Sequence, residues 1–159
     1  MPVLLWIALL LTSASALAPP HNPLTGQVVR IADGDTLTLL VDTRQVKVRL
    51  WGIDAPEKDQ AFGTRSKQAL AQAVMGKTVV VHSHGTDRYG RTLGWVVAGG
   101  ATVNLDQVRN GMAWWYQQYA PKAADLAQAQ RQAQAQRKGL WVDAAPEPPW
   151  EFRKARRQR

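Results

Sequence analysis

Between residues 44 and 51 the chain reads RQVKVRLW, in which Val46, Val48 and Leu50 alternate with Lys47, Arg49 and Trp51. A period of two marks a strand with one buried face and sets Arg49 opposite the aliphatics. Further strands are expected at 25–31, 35–41, 77–84 and 91–98, runs rich in β-branched residues; Asp33-Gly34 and Asp42-Thr43 supply the turns between the first three strands. Helical spacing takes over at 63–77, where Ala69, Leu70, Ala73 and Val74 share a stripe that Gly76 ends. A short helix is expected over 103–111 and a longer one over 121–139, opened by Pro121 and closed by Gly139. The Ala/Gln alternation in this last segment imitates a strand. Its nineteen residues without a β-branched side chain favour a helix instead.

Five strands with a helix after the third predict an α+β fold dominated by β, a five-stranded OB-fold barrel with about three helices. The 159 residues divide into a signal peptide (1–18), one barrel domain (19–145) and a Pro-rich, basic tail (146–159). The leader MPVLLWIALLLTSASALAPP has an apolar run from Val3 to Leu11 and a cleavage-site pattern ending at Ala18. That run is shorter than the ~20 residues a bilayer span needs. It therefore predicts export to the periplasm or the medium, with no membrane span after cleavage; an uncleaved anchor ranks second. No Lys or Arg precedes the apolar run. The tail, AAPEPPWEFRKARRQR, reads as an extended arm with Trp150 tucked onto the domain.

Composition narrows the partner. The formal net charge is +8 and the sequence pI about 10.3, which favours a polyanion. There is no cysteine, so disulfides and thiolate zinc sites are excluded. His82 and His84 share one strand face, where surface histidines are the simpler explanation than a metal site.

Three segments carry candidate chemistry: IADGDT (31–36), VRLWGIDAPE (48–57) and TDRYGR (86–91). Taken singly, each has an ordinary explanation as a hairpin turn, a helix cap with Glu57 completing a capping box, and a glycine turn. Together they supply what phosphodiester hydrolysis requires. Asp35 and Asp54 are hard oxygen donors suited to Ca²⁺ or Mg²⁺. Glu57 can accept or orient a proton of the attacking water, and Arg49 and Arg91 offer planar forks for phosphate oxygens.

In this order the segments resemble the thermonuclease family, the staphylococcal nuclease-like domains. The resemblance spans roughly residues 24 to 143, and the tail resembles the C-terminus of exported bacterial members. It implies Asp35 and Asp54 as side-chain calcium ligands, Ala55 as a ligand through its backbone carbonyl, and Asp33 as a carboxylate beside them. It implies Arg49, Glu57 and Arg91 as catalytic residues, with Arg88 and Tyr89 at the substrate phosphate. Ala55 stands where threonine is common and Arg88 where lysine is common. Of two tyrosines expected beside the nucleotide, Tyr119 matches one, while Gln117 stands at the other with Tyr116 nearby.

The expected activity is cleavage of DNA and RNA with low sequence specificity, leaving 3′-phosphates. Ca²⁺ is the implied cofactor, with Mg²⁺ and Mn²⁺ open. No obligate protein partner is implied, and a monomer is the default. Two rivals stand beside this expectation. One is an OB-fold module that holds single strands without cutting; the other is a surface protein that binds anionic envelope polymers. Neither requires Asp35, Asp54, Glu57, Arg49 and Arg91 together.

Overall fold

The computed structural model describes residues 22–158. The expected signal peptide therefore lies outside the described residues. In chain order the elements are β1 (Leu24–Asp33), β2 (Thr36–Val41), β3 (Arg44–Leu50), β4 (Ile53–Asp54), α1 (Gly63–Val74), β5 (Thr78–Thr86), β6 (Thr92–Ala98), β7 (Ala101–Thr102), α2 (Val103–Arg109), β8 (Trp114–Trp115), α3 (Ala124–Ala135) and α4 (Pro149–Arg157). A 3-10 turn at Gly139–Val142 links the last two helices.

The large sheet runs in the order β3-β2-β1-β5-β6-β7, and β3 also pairs with β6. That pairing closes five strands into a mixed barrel of OB type. The seam is parallel, with Val48 opposite Thr92, Arg49 opposite Leu93 and Leu50 opposite Gly94. The other pairs are antiparallel hairpin neighbours or, for β1 and β5, antiparallel strands on either side of α1. Inside lie Val28, Leu37, Leu39, Val48, Leu50, Val79, Val81 and Val96, all essentially buried. Gly94 belongs at the seam because any side chain there would meet Val81 and Val48 inside the barrel.

The alternation in β3 is realised as expected: Val48 and Leu50 are buried, while Lys47 and Arg49 face the other way. On α1 the buried positions Gly63, Ser66, Leu70 and Val74 recur every three or four residues. On α3 the alanines at 127, 129 and 133 join Leu126 in the buried stripe and the glutamines mostly stay out. This explains how an Ala/Gln alternation serves a helix.

Four expectations change. There are four helices rather than three, because the tail is not an extended arm but folds as α4. Pro149 opens this helix at a position whose N–H would have no partner anyway. The expected docking of Trp150 does occur, against Trp114 and Tyr116. The second change is the pair β4–β8, where Ile53 faces Trp115 and Asp54 faces Trp114. Asp54 is therefore the end of a strand and not a helix cap, since the next helix starts only at Gly63. The third is the extra edge strand β7 beside β6. The fourth is the length of α3, which starts at Ala124, past Pro121, and ends at Ala135 before left-handed backbone at Arg137 and Gly139 reverses the chain.

Two buried amides from α2 lock the frame. Asn104 accepts from the Val96 N–H and donates to the carbonyls of Trp51 and Gly94. Gln107 donates to the carbonyls of Gly34 and Ser66 at 2.7 and 3.2 Å. Gly34 packs so closely on Ser66 and Ala55 that it leaves no room for a side chain. The turn that carries Asp35 is thus clamped from behind. Replacing Gln107 with leucine strands two buried carbonyls and is expected to lower stability by roughly 1–3 kcal/mol, read from a urea unfolding midpoint.

Candidate active site

Strand register brings together carboxylates that are distant in sequence. Thr36 on β2 sits opposite Arg49 on β3, and the Leu50 N–H donates to the Asp35 carbonyl at 2.8 Å. Asp35 therefore lies beside the outward face of β3, from which Arg49 projects. Five residues after Arg49, the chain has turned through Gly52 into β4 and returns Asp54 to the same place. The Arg49 guanidinium bridges the two, with Nη1 2.6 Å from Asp35 Oδ2 and Nη2 3.0 Å from Asp54 Oδ1. Nη1 also donates to the Ile53 carbonyl at 3.1 Å, which fixes the plane of the fork.

Every carboxylate oxygen of the pair is engaged. Asp35 Oδ1 accepts from the Thr36 hydroxyl, and Oδ2 accepts from the Ala55 N–H at 2.6 Å as well as from Arg49. Asp33 Oδ1 accepts from the Asp35 N–H, so the turn orders its own acids. Asp54 is 1% exposed. Burial, helped by the charge of Asp35, holds its pKa above the ordinary carboxylate value, although the hydrogen bond from Arg153 and the charges of Arg49 and Arg153 pull it down. Asp33 is pushed up to about 7, first by burial and then by the charge of Asp35. Burial works against the charge on Arg49, but Asp35, Asp54 and Asp33 together outweigh it and hold its pKa above the usual value.

A third guanidinium, absent from the sequence expectations, completes the cluster. Arg153 on α4 donates from Nη2 to Asp54 Oδ2 at 2.8 Å and from Nη1 to Asp54 Oδ1 at 3.2 Å. The same Nη1 reaches Glu57 Oε1 at 2.8 Å. Arg153 thus ties Glu57 to Asp54. The readable signal was Pro149 at a helix start with Trp150 and Arg153 three residues apart, hence on one helix face.

Arg91 enters from the seam. Arg91 stands just before β6, whose Leu93 pairs with Arg49 across the seam, and among the described residues no hydrogen bond or ion pair joins its side chain to Asp35, Asp54 or Glu57. Its ion pair is with Asp87, from Nε to Oδ2 at 2.7 Å. Asp87 also accepts from the N–H groups of Tyr89 and Arg91, which folds the tip of the hairpin. Burial opposes the charge on Asp87, yet these hydrogen bonds keep its pKa below normal. Tyr89 is 68% exposed, with the guanidinia of Arg88 and Arg91 over its ring at 4.8 and 5.5 Å. Tyr119 is exposed and tilts against Tyr116 at 4.7 Å. Trp114 packs edge-on against Trp141 in the interior, and Gln117 faces solvent. His84 is stacked on Trp51 at 4.2 Å.

The donor set suits a hard divalent cation. Asp35 and Asp54 are buried oxygen donors held side by side, with the backbone of Ala55 against Asp35. Among the described residues no group of three or more His, Cys, Asp or Glu side chains is arranged to hold a metal. A cation here would complete its shell with backbone carbonyl and water, as calcium and magnesium commonly do.

Comparison with known proteins identifies the family. The family model described as staphylococcal nuclease homologue matches residues 47–143. Arg49, Asp54, Glu57 and Arg91 fall inside that span, and Asp33, Asp35 and Arg153 fall outside it. The chain is 45% identical to Protein ParB of Escherichia coli over 162 aligned positions, covering 91% of each protein. It is 44% identical to a micrococcal nuclease of Shigella flexneri, covering 86% of this chain and 84% of that one. It is 46% identical to an uncharacterized endonuclease of Haemophilus influenzae, covering 93% and 82%. With a barrel of OB type, paired acids bridged by an arginine and these relatives, the chain belongs to the staphylococcal nuclease homologue family.

Proposed function

We propose that this nuclease hydrolyses phosphodiester bonds in DNA and RNA with little sequence preference, using a hard divalent cation, calcium foremost. The observation that carries this reading is the pair of buried acids, Asp35 and Asp54, joined through Arg49 at 2.6 and 3.0 Å. Asp35, Asp54 and the Ala55 carbonyl would hold the cation, which supplies Lewis-acid polarisation of the phosphoryl oxygen. Glu57 receives the proton of the attacking water at a carboxylate oxygen. The guanidinium forks of Arg49 and Arg91 hold phosphate oxygens as negative charge gathers on the pentacoordinate phosphorus. Arg88 and Tyr89 steady a neighbouring phosphate, and Tyr119 offers a ring face to a base. Departure of the 5′ oxygen leaves a 3′-phosphate. The leader-like N-terminus supports action outside the cytoplasm. No helix among the described residues is long and apolar enough to cross a membrane.

The test uses purified protein with plasmid DNA and with a structured RNA. Calcium is expected to support cleavage of both, and a chelator to stop it. The products should accept a label at the 3′ end only after phosphatase treatment. Cleavage that continues unchanged in chelator would defeat the metal assignment. Strands that stay intact with calcium, magnesium and manganese while the protein remains bound would favour the non-cutting module.

A further inference from the structure

The C-terminal helix does more than cap the domain. Its Arg153 forks onto both oxygens of Asp54 and also meets Glu57 at 2.8 Å, two acids that the proposed reaction assigns to the cation and to the water. A guanidinium in that position supplies part of the positive charge that a divalent cation would bring to Asp54. Both cannot saturate the two oxygens of Asp54 at once, and like charges at such range repel. We infer that Arg153 is an intramolecular counter-ion that competes with the cation for Asp54, while Asp35 is met by Arg49, so that α4 acts as a strap released when the cation binds. This rests on the metal assignment proposed above.

Several contacts seat the strap independently of Arg153. Trp150 stacks flat on Tyr116, with centroids 5.1 Å apart and planes 3° apart, and meets Trp114 edge-on. Arg156 forks onto Asp59 at 2.7 and 3.0 Å. Gln60 donates to the Glu147 carbonyl at 2.7 Å, which ties the approach to the helix to the loop that follows Glu57. The same helix therefore covers the acids and one face of Tyr116, beside the exposed Tyr119. Arg153 itself keeps about a third of its side chain in solvent, so its release needs no opening of the core.

A strap docked about nine-tenths of the time lowers the apparent affinity for a ligand of the open form about tenfold. The full chain, its Arg153→Ala and Arg153→Lys variants and a Trp150→Ala variant are titrated with calcium by calorimetry at fixed ionic strength. Arg153→Ala is expected to bind calcium about tenfold more tightly. Arg153→Lys, which keeps the charge but loses the fork, should fall between it and the parent. Trp150→Ala leaves every carboxylate contact intact and loosens only the seat, so a smaller gain in the same direction is expected. Equal or weaker calcium binding in Arg153→Ala overturns the inference. A fall in turnover with unchanged calcium affinity does so too, because it would make Arg153 a positioning residue for Glu57. Should Arg153→Ala fail to fold, the Trp150→Ala titration decides alone, and no gain there is fatal. Absence of calcium binding in all four proteins instead removes the metal assignment, and the strap with it.

Discussion

Arg49→Ala is expected to reduce phosphodiester cleavage by at least about a hundredfold, the scale on which loss of one preorganised donor to a developing charge is felt. The reason lies in where the fork sits. Its two terminal nitrogens span Asp35 and Asp54, and a third contact to the Ile53 carbonyl fixes its plane. Alanine removes the guanidinium that the proposed mechanism sets on the phosphate and leaves two buried carboxylates facing each other without their shared counter-charge, so stability falls as well. Arg49→Lys separates the two effects. It keeps one positive charge near the acids, but an ammonium cannot span both carboxylates and a phosphate in one plane. A lysine variant with a native circular dichroism spectrum and a severe rate loss would identify the fork as the cause. Wild-type turnover in that variant would remove Arg49 from the chemistry.

The largest effect on stability is expected from Asn104→Ala, roughly 3 kcal/mol, equivalent to about 10 °C in Tm for a domain of this size. Asn104 is completely buried and satisfies three backbone groups, the Val96 N–H and the carbonyls of Trp51 and Gly94. These groups belong to β6 and to the turn that follows β3, which meet beside the parallel seam, so one amide holds the closure together. The Gly94 carbonyl keeps its bond from the Trp51 N–H, but the Asn104 bonds to the Val96 N–H and the Trp51 carbonyl are lost where water cannot reach without opening the barrel. Asn104→Asp sharpens the test, because its carboxylate can still accept from Val96 but no longer donates to the two carbonyls. Thermal unfolding of both variants measures the loss. A shift of only a degree or two for Asn104→Ala would mean that the seam is held elsewhere.

The barrel was readable where periodicity was strong. Val46, Val48 and Leu50 alternate over enough residues to declare a face, and Arg49 had to be on the other side. The five barrel strands and three of the helices followed from the same kind of pattern. The meeting of Asp35 with Asp54 was not readable from spacing, because it depends on Thr36 pairing with Arg49 rather than with a neighbour. Only the combination of segments pointed to it. The pair β4–β8 escaped notice because two residues carry no period. The tail misled for a different reason. Prolines at 146, 148 and 149 and a dense positive charge suggested an extended arm, whereas the helix draws its support from partners distant in sequence. Asp59 and Tyr116 steady Arg156 and Trp150, and neither contact leaves a mark in the local pattern.

The parallel pairing of Val48 with Thr92 has a consequence for when the protein becomes dangerous to nucleic acid. Asp35, Arg49, Asp54 and Glu57 all precede α1 in the chain, while Arg91 arrives only with β6. Until that strand docks, the two arginines belong to separate, unconnected pieces, and long-range closure of this kind is a slow step. Under the proposed mechanism, a nascent or otherwise unfinished polypeptide would carry the acids and the first arginine of the early half yet lack a working blade, which arms itself only as the last staves join.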